Sequence, residues 1–525
     1  MHSAVELLYK SSCGKALTSD ECSFLMGTQL SSAQLGALAA ALSTKQCSLH
    51  ERNLLNSIRE DNVLINALMC NVTGGAMPED DAPNLSRYVN FFRSTYYRQP
   101  VTKSQADVFM RDVASGVIQD AAIGFWLMIA KIKGLPLETT RLLTDAMIAS
   151  GDVFDYRKEP SLKGYRLVRR YPTGALSEKT ALILPCLISA FRHRYPVISA
   201  FLVAKSLGFT GGTWDKLSSI PEFTFPLPGN QAIRAIEDCG VAMSVTDGTL
   251  NPADRILYRM RSATATIECE GLIVSSIASK QLALPAHRLL MDVRYGVGAF
   301  LKTEREALSL ATILCRIIND NGVPCFFQLC DSLQPTGSSV GNSVEVAEAI
   351  AVLGGNPGAW DQRGIIEQRH LVVDFFSKLM SAEFPRISQS EWSIQANKSL
   401  DNGEALTAFR SILYAHGVSK STVKALVSSP FETLGINDTH VDIISGMDGR
   451  LHSIDQVRLG HIVNFQLGSG ATRYGGVQQP PCGIILHVRI GDKVSLGDVL
   501  CSIVGIADVD SAIIASLRDS FIINT

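Results

Sequence analysis

The chain is short of net charge. Its 48 Lys and Arg nearly balance 50 Asp and Glu, leaving -2 at neutral pH. That excludes the basic footprint of a nucleic-acid or anionic-membrane binder. Long apolar runs are also missing. The longest, "AAIGFWLMIA", falls well below the roughly 20 residues of a bilayer span, so it reads as a buried helix. The start "MHSAVELLYKSSCGK" lacks the basic residues and apolar stretch of a secretion signal. The 12 cysteines include no CxxC pair and no zinc-ligand spacing, so they read as reduced core thiols. The expectation is a cytoplasmic protein with no metal, organic cofactor, membrane or nucleic-acid partner.

At 525 residues, 46% hydrophobic and 19% charged, the chain is a globular protein of several domains. Its first feature is an internal repeat. One segment starts at Leu17, "LTSDECSFLMGTQLSSAQLGALAAALSTKQCSLHERNLLNSI", and another at Val101, "VTKSQADVFMRDVASGVIQDAAIGFWLMIAKIKGLPLETTRLLTDAM". Each opens on a capping threonine, Thr18 or Thr102, and continues in helical apolar spacing. Two copies are too few for a solenoid, so they read as a duplication or a cap. "NVTGGAMPEDDAPNLSRY" between them reads as a linker, and from about Asp155 strands alternate with helices. From about Trp392, strand alternation around Gly-Asp turns reads as a closing α+β domain.

"RRYPTGALSEKT", Arg169 to Thr180, has the make-up of an anion cradle. An arginine pair and a Thr-Gly turn precede a helix start, where backbone N–H groups converge. Pro172 interrupts it, because proline has no N–H to offer.

"LGFTGGTWDKLSSIPEF" (Leu207 to Phe223) resembles the signature of thymidine and pyrimidine-nucleoside phosphorylases. "NPADRILYRMRSATATIECEGLIVSSIASKQLA", "MDVRYGVGAFLKT", "GNSVEVAEAIAVLGG", "LDNGEALTAFRSILYAHGV" and "GIILHVRIGDKVSLGD" follow in the family's order. The resemblance covers the chain from about Val101 onward and leaves the first helical copy outside. It implies a helical domain joined to an α/β core of the nucleoside phosphorylase and anthranilate phosphoribosyltransferase type, followed by a C-terminal α+β domain. The expected division is an extra helical repeat at 1–70, a linker at 71–98 and a helical domain at 99–165 completed by about 253–283. The α/β domain would take 166–252 and 284–390, and the closing domain 391–525. The resemblance also implies a homodimer, with substrates in the cleft between the helical and α/β domains.

Position by position, the resemblance implies that Arg261, Ser276 and Lys280 hold the pyrimidine, and Tyr258 is a candidate for the pocket wall. Positive charge at a leaving pyrimidine suits the chemistry, because negative charge develops there. Ser276 and Lys280, four apart on a helix, share a face. On the anion side Arg170, Thr173, Ser199 and Thr213 are the implied phosphate residues, with Lys205 as a substitute charge. Here the pattern departs from the family: Tyr171 stands for the catalytic histidine, and Pro172 and Ala181 stand for serine ligands. Tyr171, Arg261 and Lys280 are thus the candidate catalytic residues of a pentosyltransferase in which inorganic phosphate attacks the anomeric carbon and the base departs. The altered loop keeps two alternatives open: glycosyl transfer or hydrolysis on a modified nucleoside or nucleotide, and non-catalytic pyrimidine binding.

Overall fold

A computed structural model describes residues 3–73, 86–206, 208–245, 249–354, 360–469 and 480–524. The chain forms two compact units, one from residues 1–154, 247–284 and 316–321, the other from 155–246, 285–315 and 322–525.

The first unit is helical. Its early helices are α1 (Ala4–Ser12), α2 (Ser19–Gly27), α3 (Ser32–Ser43), α4 (Leu49–Asp61) and α5 (Val63–Thr73). They are followed by α6 (Ser86–Tyr96), α7 (Lys103–Ala114), α8 (Asp120–Lys133) and α9 (Leu137–Ala149). Of the stretch 71–98, α5 and α6 thus take both flanks, and 74–85 lie outside the described residues. The expected caps form as full capping boxes: Thr18 with Glu21 opens α2, and Thr102 with Gln105 opens α7.

The repeat is longer than its sequence shows, because it includes a leading helix. α1 buries Leu7, Leu8 and Ser11 where α6 buries Phe91, Phe92 and Thr95. Both helices end in the same turn. Gly14 at φ +77° and Arg98 at φ +54° each donate to the carbonyl three residues back, Ser11 and Thr95. "AAIGFWLMIA" is the buried helix expected, since every residue from Ala121 to Ala130 in α8 is buried.

The second unit is built on a five-stranded parallel sheet: β1 (Arg166–Pro172), β2 (Val197–Val203), β3 (Val241–Val245), β4 (Arg288–Tyr295) and β5 (Cys325–Asp331). The spatial order is β3-β2-β1-β4-β5. Strand order therefore reverses between β1 and β4, and the crevice beyond the carboxyl ends of two such strands is where open α/β sheets bind ligands. Phe191, at the end of the helix that follows β1, packs on Phe376 and Trp392 beneath the sheet. Residues beyond 391 belong to this same unit, and the strand Ser339–Val340 pairs with Gly483–Leu486 in a four-stranded antiparallel sheet.

Candidate active site

The residues expected to hold a pyrimidine lie in the helical unit, on helices Pro252–Ala263 and Glu270–Ala283. The Lys280 ammonium is 2.5 Å from an Asp254 carboxylate oxygen and donates to Ser276 Oγ at 2.8 Å. It also lies 5.2 Å from the centre of the Tyr258 ring, within cation–π range. An ammonium has three protons. Asp254 and the Ser276 hydroxyl take two, and the third reaches only the Ser276 carbonyl at 3.3 Å, a long contact that a ligand acceptor can replace. Ser276 accepts from Lys280, so its own O–H proton remains to be donated. Two neighbouring donors, one of them charged, suit the carbonyl and imide edge of a pyrimidine.

Arg261 sits at the end of the first of these helices and is buried. It donates to the carbonyls of Leu272 and Ile267, at 3.2 and 2.5 Å, and its Nε has no partner among the described residues. Carbonyls satisfy its N–H groups without cancelling its charge, while burial pulls its pKa down. Asp254 is the member that reading the sequence passed over. The signal was present, because Asp254, Tyr258 and Arg261 recur at helical spacing on one face.

The anion-side residues lie in the α/β unit, and the structure sorts them. Arg170 is buried in β1, where it pairs with Asp292 and with Glu178, the latter at 3.0 Å, and lies over Phe375. Arg294 joins the same cluster, 2.7 Å from Asp292. Burial would raise the Glu178 carboxyl, but Arg170 and Arg294 outweigh it and hold the group at about 2. Two arginines thus meet two carboxylates, so the charge of Arg170 is balanced by its neighbours, while its Nε and Nη1 have no partner among the described residues. Breaking a buried pair costs about 3–5 kcal/mol. A hydrogen bond to a charged partner contributes about 1.5–3 kcal/mol. Arg170 therefore keeps its ion pairs within the sheet.

Thr173 and Gly174 follow the end of β1. The Thr173 N–H donates to the Asp292 carbonyl and its Oγ1 accepts from the Arg294 N–H, both at 2.9 Å, which fixes the turn against β4. Gly174 has φ +99°, and a Cβ there would meet the Phe300 ring at 3.3 Å. Tyr171 and Pro172 are half-buried at the strand end, and Ala181 is buried in the first turn of the following helix.

Thr213 opens the helix Thr213–Ser218, next to the carboxyl end of β2. The Asp215 carboxylate accepts from the N–H groups of Ser206 and Gly212, and Trp214 N–H donates to the Ala204 carbonyl. These bonds hold the segment after β2 over the helix start. A Cβ on Gly212 would fall 2.4 Å from the Ala204 oxygen, so glycine alone permits this approach. Lys205 is exposed here, its ammonium 4.9 Å from the Trp214 ring centre. Ser199 is elsewhere. It is fully buried near the opposite end of β2, and its hydroxyl donates to the Val168 carbonyl at 2.6 Å. Thr173, Thr213 and Lys205 thus lie near the carboxyl ends of the strands, whereas Arg170 and Ser199 are buried and bonded within the sheet. No cluster of metal-ligating side chains occurs among the described residues, and no described helix is long and apolar enough to cross a membrane.

Two family models match. Residues 90–151 match the helical bundle domain of the glycosyl transferase family and residues 200–406 its a/b domain. The chain is 31% identical to thymidine phosphorylase of Rattus norvegicus over 75% of its own length and 81% of the relative's. It is 30% identical to pyrimidine-nucleoside phosphorylase of Staphylococcus epidermidis over 77% of its length and 88% of the relative's. Among solved structures it is similar to anthranilate phosphoribosyltransferase from Thermus thermophilus, with TM-score 0.47 and 13% identity, over 62% of this chain and 99% of that one. On the two family models and the phosphorylases of 30–31% identity, the chain belongs to the thymidine and pyrimidine-nucleoside phosphorylase family of glycosyl transferases.

Proposed function

We propose that the protein catalyses phosphate-dependent cleavage of a pyrimidine nucleoside, giving the free base and a pentose 1-phosphate. A phosphate oxygen forms a bond to the anomeric carbon as the bond from that carbon to the base nitrogen breaks. The bonding pair leaves on the base and spreads to its carbonyl oxygens. Lys280, turning its weakly held proton from the Ser276 carbonyl to the base, and Ser276 donate to that developing charge, and Arg261, whose partners are carbonyls, adds positive charge. Asp254 is a positioning residue that aims Lys280. Thr213, Thr173 and Lys205 are the proposed phosphate residues, and Tyr171 supplies a hydrogen bond in place of the family's histidine. A tyrosine, with an ordinary pKa near 10, is a poor proton shuttle at neutral pH.

The single observation that carries this reading is the Asp254–Lys280–Ser276 arrangement. It is tested by titrating uracil and thymine into the full chain by calorimetry, alongside the Lys280→Ala and Asp254→Asn variants. Binding by the parent, at least tenfold weaker in Lys280→Ala and weakened less in Asp254→Asn, is the expected result. Equal binding by all three proteins would refute the assignment.

The state of Arg170 favours a second reading on the anion side. With its charge spent inside the sheet, the loop after β1 accepts phosphate poorly, and another acceptor, water included, would serve instead. Base release that is indifferent to phosphate would support that reading.

A further inference from the structure

α3 and α8 hold the same place in the two copies of the helical repeat. Each carries alanine at its second position and glycine at its fifth: Ala33 and Gly36 in one, Ala121 and Gly124 in the other. The two helices pack against each other, and the contact is reciprocal. A Cβ on Gly36 would lie 1.9 Å from the carbonyl oxygen of Ala121, and a Cβ on Gly124 would lie 2.0 Å from that of Ala33. Each glycine thus receives the backbone of the other helix at the matching alanine.

When residue i of one copy meets j of the other, and j of the first meets i of the second, the contact is isologous. It is the geometry of a twofold dimer. Repeats stacked in tandem behave differently, since each presents a different face to its neighbour. The surroundings obey the same symmetry: α1 packs on α3 as α6 packs on α8. α1 and α6 also bury matching side chains and close in matching turns, Gly14 after Ser11 and Arg98 after Thr95. The outer copy reaches the far end of α8 as well, where the Lys131 ammonium lies 4.3 Å from the centre of the Tyr9 ring of α1.

We infer that the α3–α8 contact is a homodimer-type interface closed within one chain, in which the first helical copy is the partner of the second. The surface of α8 is self-complementary, and the partner it fits is another copy of this helical unit. Because that partner is already attached, a second chain has no access to α8. Any self-association of the whole protein uses another surface. The inference concerns the helical repeat alone and is independent of the reaction assigned above.

The test uses the full chain prepared in ordinary and in nitrogen-15 medium. The two preparations are mixed in equal amounts, incubated and treated with a lysine-reactive cross-linker. Lys10 follows Tyr9, so it is within reach of Lys131 and Lys133. Mass spectrometry is expected to find links from Lys10 to Lys131 or Lys133 only between peptides of the same isotope, whatever mass light scattering gives for the particle. Mixed-isotope links between those lysines, or between the Lys133 residues of two chains, would show that the interface forms between molecules and would overturn the inference. Absence of any link from Lys10 to α8 would overturn it too, because the first copy would not then be seated on the second.

Discussion

Arg170 and Lys280 are both cations at positions where the resemblance implies a ligand, and their partners separate them. Arg170 is buried against two carboxylates, Asp292 and Glu178, whereas Lys280 meets one carboxylate, Asp254, and gives its last proton only a long 3.3 Å contact with the Ser276 carbonyl. Residue type and order reveal that a charge is present, not which acid lies across the sheet. Asp292, on β4, is far from Arg170 in sequence and adjacent to it only through strand pairing. The same limit applies to Ser199. Its register on β2 buries the hydroxyl against Val168, and nothing local in "SAFLVAKS" signals that. Ser276 and Lys280 share a helix face by spacing alone, whereas Arg261, on the preceding helix, was legible only through the resemblance. Pro172 yields a prediction at this scale. Restoring a hydroxyl and an N–H with Pro172→Ser should lower the phosphate concentration for half-maximal rate, by about tenfold or more if one charged hydrogen bond is regained. Steady-state rates at varied phosphate check this, and an unchanged phosphate dependence would place residue 172 away from the anion.

At the scale of elements, capping boxes and apolar spacing made the helices of the repeat readable, while the leading pair α1 and α6 escaped notice. Their buried positions agree, but Leu7 and Leu8 stand where Phe91 and Phe92 stand, and glycine is exchanged for Arg98 in the turn. The structure preserves a pattern of burial that residue identity had lost. The close approach between α3 and α8 rests on two glycines. Gly36→Ala and Gly124→Ala should therefore each lower the melting temperature by several degrees, and by similar amounts, because each forces a Cβ into a backbone carbonyl with no flexible atom to yield. Overpacking of this kind costs about 1–3 kcal/mol. Thermal unfolding followed by circular dichroism measures both, and a silent substitution at either glycine would contradict the packing. The sheet was legible as alternating strands and helices. The switch between β1 and β4 was not, because the chain passes through the helical unit before β4 forms.

For the whole molecule, balanced charge leaves pH sensitivity to a few buried groups. His416 is one. Its Nε2 accepts from the Met243 N–H at 3.1 Å and its ring stacks on Phe223. Burial pushes the imidazole down to about 4, against a contact with the Thr224 carbonyl that acts the other way. A histidine whose pKa is lowered by folding is neutral in the native state while the unfolded chain takes up a proton below about 6.5. Its contribution is thus complete above that pH and is lost as pH falls toward 4, amounting to about 3 kcal/mol across the window. Urea unfolding at pH 7 and pH 5 should show the parent losing more stability than His416→Gln, and equal losses would exclude this group as the cause.

The account as a whole rests on an intact base side joined to a rebuilt anion side. It is tested most directly by the rate of uracil release from uridine by the purified full chain, measured from no added phosphate to high phosphate, with the sugar product identified by chromatography. The account predicts release that rises with phosphate, saturates only at high concentration and yields ribose 1-phosphate. Release at the same rate without phosphate, yielding free ribose, would contradict it.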